Sequence, residues 1–72
     1  MTTKTATFTN KFNENWTIVL TGNKNAGAQI SVDYNNEKDP VIGYYMYFEN
    51  ALNDFNQCKR NKSVSIILDK ML

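Results

Sequence analysis

The chain has 72 residues, 42% of them hydrophobic, and a formal charge of +1 from eight basic and seven acidic side chains, which describes one small ordered domain with no strong pull toward polyanions or membranes. It has one cysteine and no histidine, which excludes an internal disulfide and zinc sites built on Cys and His. No apolar run approaches the ~20 residues that cross a bilayer and none reads as a signal peptide, so the cytoplasm is the expected location.

Residues 3–12 read as a first strand. Thr3, Thr5, Thr7 and Thr9 alternate with Lys4, Ala6, Phe8 and Asn10, so one face presents β-branched hydroxyls and the other Ala6 and Phe8. A polar turn, Asn13-Glu14-Asn15, follows. Residues 16–21 read as a second strand, with Trp16, Ile18 and Leu20 on one face. Residues 22–27 form a Gly- and Asn-rich hairpin loop, residue types that tolerate positive φ. Residues 28–34 are a third strand in which Ala28, Ile30, Val32 and Tyr34 alternate with Gln29, Ser31 and Asp33. Residues 35–38 make the next loop. Three strands with short connections predict an antiparallel meander with one apolar face.

Asp39-Pro40 has the chemistry of a helix start, a carboxylate at the N-cap and a proline at the first helical position. Val41, Tyr44, Tyr45, Phe48, Leu52 and Phe55 recur three and four residues apart, which predicts one helix running to about Arg60, with Asn61 near its end. The competing reading is a fourth strand over residues 41–48 and a shorter helix from Asn50, because Val, Ile and Tyr favour strand and Gly43 weakens a helix interior. The cap and the continuous stripe favour the single helix. Val64, Ile66 and Leu68 predict a last strand over residues 64–68. The expected fold is therefore α+β, a single domain over residues 1–72. It has a small, mainly antiparallel sheet, a three-stranded meander plus a C-terminal strand, with one helix packed across it in the order β-β-β-α-β.

The chemistry-bearing residues do not converge. Asp33, Glu37 and Asp39 are oxygen ligands, but their spacing does not match a calcium loop, and they read as solvated acids. Glu49 and Asp54 are five apart, about 140° from a shared helix face, and read as surface charges. Cys58 lies near a helix C-terminus with no histidine to serve as base, and reads as a quiet, partly buried thiol. The loop at residues 22–27 lacks the Gly-Lys-Ser/Thr ending of a phosphate-cradling loop and joins strands. No catalytic group, metal or cofactor is expected, and the chain reads as a non-enzyme.

Residues 41–48 hold three tyrosines, a methionine and a phenylalanine, more large side chains than a small core consumes. On the expected helix Tyr45, Phe48, Leu52 and Phe55 face the sheet, Tyr47 points away, and Tyr44 and Met46 flank the buried stripe. Tyrosine and methionine suit interface cores. Glu37, Asp39, Glu49 and Asp54 against Lys38 leave −3 over residues 37–58, and Lys59, Arg60, Lys62 and Lys70 against Asp69 leave +3 over residues 59–72. That asymmetry suits the helix dipole and also a bipolar docking face. The expected function is a small protein-binding module using Tyr44, Met46, Tyr47, Lys59, Arg60 and Lys62, by capture of a protein partner or by self-association. Eleven asparagines suit an AT-rich coding sequence, so a phage or mobile-element modulator or inhibitor of a larger protein is one form of this reading. The alternatives are a single-stranded nucleic-acid binder using Trp16, the tyrosines, Lys59, Arg60 and Lys62, or an assembly subunit that forms homo-oligomers.

Overall fold

The computed structural model describes residues 1–35 and 40–71. Four strands come first: β1 (Thr2–Thr9), β2 (Asn15–Gly22), β3 (Ala28–Tyr34) and β4 (Val41–Tyr45). Two helices follow, α1 (Phe48–Asn61) and α2 (Ser65–Met71). The strands form one sheet in the order β1-β2-β3-β4, every neighbour antiparallel. The order is thus β-β-β-β-α-α, which corrects the expected β-β-β-α-β in two places.

The first correction lies at residues 41–48. Val41 pairs with Val32, Gly43 with Ile30 and Tyr45 with Ala28, so these residues extend the meander instead of opening a helix. A β3 left at the sheet edge would carry a row of unpaired backbone groups beside Ile30 and Val32, and pairing removes them. The β-branched and aromatic content of residues 41–45 suits that position. Asp39, the expected helix cap, and residues 36–38 of the preceding loop lie outside the described residues. The second correction lies at residues 64–68. The meander already takes its fourth strand from residues 41–45, and Val64, Ile67 and Leu68 pack at helical spacing, with Val64 and Ile67 buried. The Val64 carbonyl accepts from the amides of Ile67 and Leu68, both at 3.1 Å.

Register puts Ala6 and Phe8, Ile18 and Leu20, and Ala28, Ile30 and Val32 on one sheet face. Phe48, Ala51, Phe55 and Cys58 of α1 close over it, joined by Val64 and Ile67. Ile18, Leu20 and Ile30 are fully buried, each contributing about 1.5–3 kcal/mol relative to exposure. α1 lies across β1, β2, β3 and β4, while α2 packs on α1 and β4. The opposite face carries Thr3, Thr5, Thr7 and Thr9, with Thr17, Val19 and Thr21 beside them, and no element covers it among the described residues. β1 stops at Thr9, three residues before the expected Phe12, because Asn10 begins a turn. Lys4 sits opposite Leu20 on the helix side of this edge strand and is exposed, a charge that opposes further strand pairing.

The glycines of the β2–β3 hairpin supply room, not positive φ, since no glycine of the described residues has φ in that region. A Cβ on Gly22 would lie 2.5 Å from that of Ala28 and 3.0 Å from the Phe48 ring, so only glycine lets α1 start this close to the sheet.

Candidate functional site

Two surfaces concentrate exposed side chains that a domain of this size does not need for its own core. The first is a corner where β4 meets α1. Alternation along β4 turns Val41, Gly43 and Tyr45 to the helix side and Ile42 and Tyr44 to the open face, opposite Ser31 and Gln29. Tyr44 and Met46 are each 79% exposed and Tyr47 63%. Tyr47 occupies the N-cap of α1 with φ −120° and ψ 130°, and its side chain makes no capping bond. Ser, Thr, Asp or Asn at that position would stabilise the helix by about 1 kcal/mol. The tyrosine therefore stands there at a cost to the helix, with its ring in solvent. Met46 lines clefts on both sides, one with Tyr44 and Asn50 and one with Tyr47 and Lys24.

Tyr45, between these exposed neighbours, turns inward to a polar cluster. Its hydroxyl donates to Asp54 Oδ2 at 2.8 Å, and Lys70 Nζ donates to the same oxygen at 2.7 Å. The Lys70 ammonium also stands 5.7 Å from the centre of the Tyr45 ring. Asp54 is buried, not the surface charge its spacing suggested, whereas Glu49 is exposed. A buried carboxylate requires such partners, and the cluster ties β4, α1 and α2 together. Burial, the hydrogen bond to Asp54 and the nearby charge hold the Tyr45 phenol well above its usual range. Cys58 is free and buried, and burial pushes its thiol up, which makes it a poor nucleophile.

The second surface is an open cleft of about 660 Å³ where the β1–β2 turn meets the end of α1. Lys11, Phe12, Trp16, Asn61, Lys62 and Ser63 line it. Trp16 is half-buried, its ring centre 4.8 Å from that of Tyr34. Lys62 has φ 53° and ψ 46°, the left-handed exit of α1. The Cys58 carbonyl accepts from the amides of Lys62 and Ser63, closing the helix end.

Tyr44, Met46 and Tyr47 thus lie together at the start of α1, and Lys59, Arg60 and Lys62 at its far end. The 14 residues of α1 span about 21 Å at about 1.5 Å each, so the two groups form separate surfaces. Lys59 and Arg60 are exposed in the last turn of α1, and only Lys62 of the three reaches the Trp16 cleft. In the sequence Lys11 is one of several scattered lysines and Phe12 the end of a strand over residues 3–12, so neither stands out as a site residue. The signal that could have found them is Asn10, whose side chain favours turns. Among the described residues no group of three His, Cys, Asp or Glu side chains could hold a metal ion, and no helix is long and apolar enough to cross a membrane. Compared with protein-family models, with curated proteins and with solved structures, the chain matches none.

Proposed function

We propose that this chain is a non-enzymatic protein-binding module that acts in the cytoplasm and engages its partner through the corner formed by Ile42, Tyr44, Met46 and Tyr47. The observation that carries the reading is the exposure of Tyr44, Met46 and Tyr47, at 79%, 79% and 63%, in a chain whose core is closed without them. Rings and a thioether displayed together supply the buried centre of a protein interface, where Tyr and Met are enriched. Tyr44 and Tyr47 bring area with few rotatable bonds, and Met46 between them adapts to an irregular surface. The mode of action in this reading is modulation or inhibition of a larger protein by occupancy, and an origin in a phage or mobile element rests on composition alone.

The test places a photo-cross-linking amino acid at position 44 or 47, and in a control at Asn53, which is exposed on α1. Discrete cross-linked protein from the first two positions and none from the control is the expected outcome. Equal or absent cross-linking at all three would sink the reading. Light scattering on the purified chain then separates the two kinds of partner. A mass of 8.3 kDa leaves the corner to a different protein, and twice that mass assigns it to a second copy.

A further inference from the structure

Phe12 is 69% exposed, yet the turn that holds it is closed by five hydrogen bonds. Asn10 Oδ1 accepts from the amides of Phe12 at 2.9 Å and Glu14 at 3.0 Å, and Asn10 Nδ2 donates to Glu14 Oε1 at 2.8 Å. The Asn10 amide donates to the Glu14 carbonyl at 3.0 Å, and the Asn13 amide to that of Asn10 at 3.1 Å. Asn13 takes φ 61°, a conformation asparagine adopts more readily than other non-glycine residues. The backbone that presents the ring is fixed before any ligand arrives, which lowers the entropy lost on binding.

The surroundings of that ring are cationic. Lys11 Nζ stands over one face of the Phe12 ring, 5.2 Å from its centre, and Lys62 lines the same cleft. No carboxylate of the described residues lines it, and the nearby Glu14 carboxylate is already engaged by Asn10. Lys62 stands in a left-handed position that glycine fills at lower cost, so a cation is held at the rim where local geometry favours another residue. The site therefore offers a stacking platform, two point charges and polar side chains on Asn61 and Ser63. Its complement is a planar ring joined to phosphates, with the ring face free. A duplex keeps its bases stacked on each other, whereas single strands expose theirs to aromatic side chains. An acidic peptide would satisfy the lysines and leave the Phe12 face unused.

We propose that this cleft binds a short stretch of single-stranded nucleic acid, one base stacked on Phe12 and the adjoining phosphates on Lys11 and Lys62. The site is independent of the β4–α1 corner, and with two cations it is weak and salt-sensitive.

The chain contains one tryptophan, and it lines the cleft, so Trp16 fluorescence reports occupancy directly. The probe is a twelve-residue oligothymidylate titrated at low salt, with anisotropy of a labelled copy as second readout. A saturable Trp16 signal is expected, with log K falling against log salt at a slope of about −1.4, two phosphates at about 0.7 each. Phe12→Ala is expected to weaken binding about 5-fold to 150-fold, the range for one stacked base. Lys11→Gln and Lys62→Gln are each expected to flatten the slope by about 0.7. These side chains are exposed, and circular dichroism verifies that the variants fold. The double variant Tyr44→Ser/Tyr47→Ser is expected to bind the oligonucleotide unchanged, and loss of binding there would overturn the assignment to the cleft. So would the absence of any signal at low salt, full affinity in Phe12→Ala, or equal affinity for oligoglutamate or for free thymidine monophosphate.

Discussion

Tyr45 differs from Tyr44 in the face to which β4 turns it, and from Tyr47 in preceding the helix cap that holds that ring in solvent, and that difference decides its chemistry. Burial first, then the hydrogen bond to Asp54, raise its phenol above the ordinary value of 10.0. Burial likewise raises the Cys58 thiol above 9.0, with the Asp54 charge adding to it and a hydrogen bond from the Ile67 backbone opposing it. Both groups hold their protons more tightly in the folded chain than in the unfolded one. Their contribution to stability is therefore complete below the unfolded values and is lost as the pH rises past them. Chemical denaturation is expected to show constant midpoints from these groups up to about pH 9 and a decline above it. Tyr45→Phe removes a hydrogen bond to a charged acceptor and is expected to cost about 1–3 kcal/mol at pH 7. It is also expected to flatten the decline above about pH 10. An unchanged alkaline slope in that variant would remove Tyr45 as its source.

At the scale of elements, α2 offers a direct comparison of two periodicities. A strand over residues 64–68 would bury Val64, Ile66 and Leu68 together, whereas here Val64, just before α2, and Ile67 within it are buried and Ile66 is half-exposed. Ile67→Ala is expected to cost about 2–5 kcal/mol, as for other fully buried isoleucines. Ile66→Ala is expected to cost at least about 1 kcal/mol less, helped by the higher helix propensity of alanine. Urea midpoints of the two variants check this, and the reverse order would restore the strand. The β1–β3 part of the sheet was legible in the residues themselves. Alternation of Ile18 and Leu20 with Thr17 and Val19, and of Ile30 and Val32 with Ser31 and Asp33, admits only one buried face, and Gly22, Asn23 and Gly27 mark the turn. The α1 stripe of Phe48 and Phe55 was legible too, but its start was not. Tyr47 carries no capping signal, and Asp39-Pro40 carries one.

At the scale of the whole molecule, two helices pack on one sheet face, and among the described residues no element covers the other. That arrangement makes α2 indispensable, because Val64 and Ile67 complete a core that α1 alone does not close. Each of these side chains contributes about 1.5–3 kcal/mol by burial, comparable with the few kcal/mol that a domain of this size holds in total. Deleting residues 64–72 is therefore expected to unfold the chain, seen as collapse of amide dispersion in a proton–nitrogen spectrum. A shortened chain that kept a dispersed spectrum would show that α2 is an appendage. The same architecture sets the two candidate surfaces apart. α1 separates the Tyr44–Met46–Tyr47 corner from the Lys11–Phe12–Lys62 cleft, so residues that share a charge or aromatic pattern in the sequence do not share a surface.

The sequence by itself determined the first three strands, their buried faces and the apolar stripe of α1, because period-two and period-3.6 patterns of adequate length each fit one geometry. It also marked Tyr44, Met46 and Tyr47 as surplus to the core, although for a helix and not for a strand end. Only the tertiary structure decided residues 41–45 and 64–68. Both are short apolar runs rich in β-branched or aromatic residues, and five residues do not separate the two periods. What settled them was the space left by the rest of the chain. β3 had an edge to be paired, which drew residues 41–45 into the sheet. The widened sheet then needed a second helix over it, which residues 64–71 supplied.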